Sequence, residues 1–185
     1  ESLAVVKAIR AVGAEPIIDL ANPPGVICKD AQGKAQPVKD WATNEKFQKE
    51  WYEVVMAFLT SLKEANLSVK YFTSFNEPEF SGMGTRGNNP TSLMINRVAA
   101  QAVKDFDKNL QMGGMEFGNS RSEIYNAFLD YIGKNPENID FFSYHQYQST
   151  PERHADEIKY LRKELDKRSL QRVKIAVDEW QVASS

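Results

Sequence analysis

Strand-like apolar runs and amphipathic helical stripes alternate along this whole chain, an order that restricts it to a parallel sheet with crossover helices. Glu15 to Ala21 (Glu-Pro-Ile-Ile-Asp-Leu-Ala) reads as a buried strand ended by Asn22-Pro23-Pro24-Gly25. Val69 to Glu77, Met112 to Phe117, Ile139 to Tyr147 and Val173 to Trp180 complete a set of five. The strand ends recur at 39 residues (Glu77 to Glu116), 31 (Glu116 to Tyr147) and 32 (Tyr147 to Glu179), the spacing that βα units produce.

Five helices are expected between these strands. Leu3, Val6, Ile9 and Val12 fall on one face of the first. Asn44 suits the cap of a second, with Phe47, Trp51, Val54, Val55, Phe58 and Leu62 inward. Pro90 fits the first turn of a third, carrying Leu93, Val98, Ala102 and Phe106. Ser120 and Glu123 have capping-box spacing for a fourth, with Tyr125, Phe128, Leu129 and Ile132 on its face and Gly133 at its end. Thr150-Pro151 opens a fifth with Ile158, Leu161 and Leu165. No interdomain linker or repeat interrupts residues 1–185, which read as one α/β domain of about five βα units in an open or closed parallel sheet.

With 23 basic and 25 acidic residues and no dense basic cluster, the chain offers nothing to track a phosphate backbone, so nucleic acid is not an expected partner. No apolar run nears the roughly 20 residues that cross a bilayer, and no membrane partner is expected. Residues 1–13 read as an amphipathic helix, not an export signal. The lone Cys28 has no Cys or His at metal-ligand spacing and reads as a structural thiol.

Functional groups on parallel sheets gather beyond the carboxyl ends of the strands. There the chain carries Asp19 and Asn22, Asn76 and Glu77, Glu116, His145 and Tyr147, and Glu179 with Trp180. Glu77 and Glu179 lie 102 residues apart, so only the intervening units can bring them face to face. Strict alternation would send Asn76 and Glu77 to opposite faces, so a bulge or sharp twist is expected there. Trp180 offers a flat face for a sugar or, outward, packs under a helix. Asp19 and Glu116 bind substrate, pair with a cation or begin loops, while Asp178 and Glu79 are expected in structural or solvent roles.

Phe75-Asn76-Glu77-Pro78 resembles the acid/base motif of clan A glycoside hydrolases, and Val177-Asp178-Glu179-Trp180 resembles the nucleophile strand of the same clan. Phe141-Phe142-Ser143-Tyr144-His145-Gln146-Tyr147 is similar to the sixth strand of glycoside hydrolase family 39, so the resemblance runs through nearly the whole chain. It implies a retaining double displacement on O-glycosidic bonds of a poly- or oligosaccharide. Glu77 is then the acid/base and Glu179 the nucleophile, their carboxyls about 5 to 5.5 Å apart. Asn76 would contact the sugar 2-hydroxyl, Tyr147 would donate to Glu179, and His145 would donate to a carboxylate or sugar hydroxyl. Asn22, Glu116 and Trp180 complete the expected substrate-binding set, with carbohydrate as the partner and no cofactor.

The resemblance also implies a fold, a partial (β/α)8 TIM barrel of about five units, in which the five strands match the third to the seventh. The first, second and eighth have no counterpart, and a fragment, or a chain completed by another segment or partner, is the expectation. A noncatalytic carbohydrate-binding or scaffold protein is the alternative that such incompleteness leaves. A metal-dependent hydrolase is not expected, since only two histidines exist and His154 falls on a helix. The compartment stays open, with secretion or a periplasm suited to a polysaccharide substrate.

Overall fold

A computed structural model describes residues 2–20, 23–30, 32–80, 89–118 and 121–182. In chain order the elements are α1 (Ser2–Ala11), β1 (Ile17–Asp19), α2 (Val38–Trp41), α3 (Glu45–Glu64), β2 (Tyr71–Thr73), α4 (Asn89–Phe106), β3 (Gln111–Met112), α5 (Glu123–Lys134), a 3-10 turn at Pro136–Asn138, β4 (Phe141–Ser149), α6 (Pro151–Asp166) and β5 (Lys174–Val182).

All neighbouring strands are parallel. β1 pairs with β2 and β2 with β3, while β4 pairs with β5 from Phe141↔Lys174 onward. Bridges at Gly113↔Phe141 and Phe117↔Tyr144 join the two groups, so the spatial order is the sequence order, one to five. The sheet curls, because Ile17 and Asp19 of β1 line the same cleft as Val177, Asp178 and Glu179 of β5. This is the (β/α) barrel architecture that the alternating signals imply, built here from five strands among the described residues.

Side-chain alternation divides the sheet into a helix face and a concave face. On β4, Phe142 points to the helices, where it stacks on Phe117 (5.4 Å between centroids) and meets Tyr125 and Phe128 of α5. Burial of each such ring contributes on the order of 1.5–3 kcal/mol. Ser143 and His145 take the other face. Trp51 of α3 is buried and donates its Nε1–H to the carbonyl of Ile95 on α4 (3.1 Å), which satisfies the polar handle of a core tryptophan.

The caps follow the sequence in two helices and differ in one. Asn44 accepts from the Phe47 amide (3.0 Å) and Thr150 from the Arg153 amide (3.3 Å). For α5 the cap is Ser122, accepting from Tyr125 (3.2 Å), so Glu123 is the first helical residue and no capping box forms with it; Ser120 lies outside the described residues. Gly133 does not end that helix either, which continues to Lys134. On α6 the inward residues are Glu157, Leu161 and Leu165, and Ile158 is exposed; Glu157 is held there by Arg121 (3.3 Å). The long polar loop contains the short α2, whose Trp41 stacks on Phe47. Cys28 is half-buried in it against the Pro23 and Pro24 carbonyls. Among the described residues, no helix is long and apolar enough to cross a membrane.

Candidate active site

The carboxyl ends of the strands open onto a cleft of about 700 Å³, lined by Ile17, Asp19, Asn76, Glu116, Val177, Asp178 and Glu179. Glu77 reaches it through an unusual backbone. Asn76 bridges Glu116 in parallel register, and the next residue turns to φ 43°, in the left-handed region. That conformation costs a side-chain-bearing residue about 1–3 kcal/mol. Hydrogen bonds hold it, from the Glu77 amide to the Glu116 carbonyl (2.8 Å) and from the Phe80 amide to the Glu77 carbonyl (2.9 Å). Pro78 disfavours the right-handed alternative. The expected twist at this strand end is therefore a single residue's φ, and it lets Asn76 line the cleft while Glu77 reaches His145.

A second device acts on β5. The pairing steps from Tyr144↔Val177 to His145↔Glu179, so Asp178 is an extra residue on its strand, a β-bulge. Asp178 and Glu179 consequently both line the cleft. Asp178, expected in a structural or solvent role, is a wall of the cleft: its Oδ2 accepts from the Ser143 hydroxyl, and its Oδ1 stands 3.7 Å from His145 Nε2.

His145 connects the two glutamates. Its ring is buried, with Nδ1 2.9 Å from Glu77 Oε1 and 3.6 Å from Glu179 Oε2. One oxygen each of Glu77 and Glu179 and one ring nitrogen all lie within 4.8 Å of one another. Tyr147, two residues along the same face, donates its hydroxyl to Glu179 Oε2. That hydrogen bond to the carboxylate, with burial and neighbouring acids adding to it, raises the phenol to about 12.

Glu116 sits at the floor of the cleft. Burial, then the charges of Asp19 and Asp178, push its carboxyl up to about 8, against the lowering effect of the Thr73 hydroxyl that donates to Oε1 (2.6 Å). A buried acid among other acids is thus held as the neutral carboxyl at pH 7.

Of the residues expected here, the structure brings together Asn76, Glu77, Glu116, His145, Tyr147 and Glu179. Trp180 is not with them: it follows Glu179 onto the opposite face of β5, 63% exposed, with its ring edge-on to His154 of α6 (6.4 Å). It is the outward of its two expected placements. Asn22 and the loop residues 81–88 lie outside the described residues. Glu79 is buried beside the site. Sequence reasoning missed Gly118: a Cβ there would stand 2.5 Å from Glu77 Oε1, so only glycine leaves the carboxylate its place. The signal was present as a glycine two residues past a strand-end acid.

Glu77, His145 and Glu179, and likewise Glu116, His145 and Asp178, are close enough for one donor atom from each to converge on a cation. Counting histidines concealed this, because carboxylates from other strands complete both groups. We assign no ligand role to any of them.

Five parallel strands in sequence order among the described residues, with facing acids beyond their carboxyl ends, define a barrel protein with a carboxylate-lined cleft. The chain belongs to the glycosyl hydrolases family 39, whose model matches residues 4–182. A β-xylosidase of Geobacillus stearothermophilus is 24% identical over 173 residues, covering 88% of this chain and 33% of the relative. Among solved structures, a monomeric β-xylosidase from Caulobacter crescentus CB15 superposes with TM-score 0.73 at 19% identity (97% of this chain, 40% of that one). A glucosidase from Croceicoccus marinus gives 0.72 at 18% (100% and 38%). The chain thus spans between a third and two fifths of the length of these relatives.

Proposed function

We propose that this chain carries the catalytic pair of a retaining O-glycosidase, with Glu179 as nucleophile and Glu77 as acid/base. The observation that carries the reading is the approach of the two carboxyl groups, one oxygen of each within 4.8 Å of the other, across a single imidazole. Retaining enzymes hold their carboxyls about 5–5.5 Å apart, and inverting ones leave about 6.5–9.5 Å for a water.

The division of roles is argued from the surroundings. Glu179 accepts the Tyr147 hydroxyl on Oε2, which fixes the orientation of the carboxylate and leaves its other oxygen for attack. Glu77 hydrogen-bonds His145 Nδ1 (2.9 Å), which holds its carboxyl in place for proton transfer to and from the cleft. Attack by Glu179 breaks the glycosidic bond while Glu77 protonates the departing oxygen; Glu77 then takes a proton from the water that releases the sugar. Asn76 at the cleft wall suits the 2-hydroxyl.

The substrate is a carbohydrate, and relatives described as β-xylosidases make aryl β-xylosides the first compounds to test. The decisive experiment compares wild type with Glu179→Ala in the presence of azide. Rescue that yields a glycosyl azide of inverted anomeric configuration identifies the nucleophile. A folded wild-type chain that binds sugar without turnover sinks the catalytic reading in favour of a carbohydrate-binding one.

A further inference from the structure

Asp178 takes no part in the proposed double displacement, yet groups from two other strands surround it on the concave face. Ser143 of β4 donates to Oδ2, and a carboxyl oxygen of Glu116, beyond β3, stands within 4.8 Å of one of its oxygens. Two carboxyl groups this close repel each other when both are ionised, and Glu116 is the buried one with Asp19 also facing it. No lysine or arginine lines this cleft among the described residues, so the proton is what relieves the repulsion.

With Oδ2 occupied, Oδ1 faces His145 Nε2 at 3.7 Å. Both atoms are buried without a hydrogen-bond partner. Two such groups aimed at each other, about 0.5 Å beyond hydrogen-bond reach, form one contact that a small shift would close. Charge on Asp178 favours the ring proton on Nε2, and the opposite nitrogen, Nδ1, is the one that meets Glu77 and Glu179.

We propose that Asp178, backed by Ser143 and Glu116, is a positioning residue that fixes the His145 ring and thereby the relative placement of Glu77 and Glu179. The inference rests on the glycosidase reading for its purpose and on geometry for its substance. The groups that face the acid pair are Asp19 from β1, Thr73 from β2, and Ser143 and His145 from β4.

The ring itself supplies the readout. His154 is the only other histidine, so His154→Gln leaves one set of imidazole 15N and 1H resonances, those of His145. In this background the His145 signals are expected to inflect at the pH where Glu116 ionises, near 8. Asp178→Asn is expected to shift those signals and to lower kcat by a larger factor than it raises KM. Glu116→Gln, an isostere of the neutral acid, is expected to preserve the pH 6 ring signals and abolish the inflection. His145 resonances that run flat through pH 8, or that superimpose on the parent in a folded Asp178→Asn protein, overturn the proposal. Since the first of these measurements needs no Asp178 variant and no substrate, it stands even if that variant fails to fold. Absence of turnover with every glycoside would sink the glycosidase reading and leave the spectra to decide this one.

Discussion

Gly118 lies so close beneath Glu77 that a methyl group on it would stand 2.5 Å from the carboxylate oxygen Oε1. Gly118→Ala is therefore expected to push the Glu77 carboxylate off its contact with His145 while leaving the hydrophobic core untouched. Turnover of an aryl glycoside should fall by about tenfold or more, since small displacements of a reacting group are costly. The melting temperature should stay close to that of the parent. Unchanged kcat/KM would show that Glu77 needs no such clearance.

Tyr147→Phe removes the hydroxyl that Glu179 accepts and nothing else of size. Because Tyr147 is half exposed, the change should leave thermal stability almost unaltered and lower kcat by about tenfold. The raised phenol gives an independent check. Phenolate absorbance for this tyrosine should appear only near pH 12, and at lower pH once Glu179→Gln removes the carboxylate. A titration indifferent to Glu179 would sever the pair.

The Glu116 carboxyl makes the fold sensitive to alkali. Its pKa stands above the unfolded value, so the folded state binds the extra proton and stability declines as pH rises from about 4.5 to about 8, then levels off. The full effect is on the order of a few kcal/mol. Glu116→Gln should flatten denaturant midpoints across that window and be the more stable form at pH 9. Parallel curves for the two proteins would disprove the linkage.

Asn44→Ala tests a helix end far from the cleft. Loss of the bond to the Phe47 amide should cost about 1 kcal/mol in a denaturant titration, with kinetics unchanged. A neutral result would mean that α3 is held by Trp51 and its neighbours alone.

The alternation of strands and helices, the cap at Asn44 and the place of Glu77, His145, Tyr147 and Glu179 at strand ends were readable from residue order, because periodicity and strand-end position are local signals; that these four side chains meet was implied only by the resemblance of their motifs. The devices that aim the side chains were not. Glu77 adopts its left-handed φ because Glu116 and Pro78 trap it, and the bulge at Asp178 exists only once β4 lies alongside β5. Alternation alone placed Asp178 away from the cleft, and the fault lay in assuming an unbroken period of two. Ile158 was misjudged for a related reason: its apolar character fits a helix stripe, but Arg121 rewards an inward Glu157 instead. The acid pair at the floor was invisible, since Glu116 and Asp178 are 62 residues apart and neither lies in a motif that names the other.

The extra residue in β5 also sets the phase of every position beyond it. Before Asp178 the strand reads inward at every second position; after it the parity is reversed, so Glu179 faces the cleft and Trp180 faces α6. Deleting Asp178 would leave Val177 opposite Tyr144 and Glu179 opposite His145 in regular alternation, so Glu179 and Trp180 would keep their faces and the strand would lose only one of its two carboxylates on the cleft. The extra residue is thus the means by which β5 presents two consecutive acids to one cleft, which an unbroken period of two forbids.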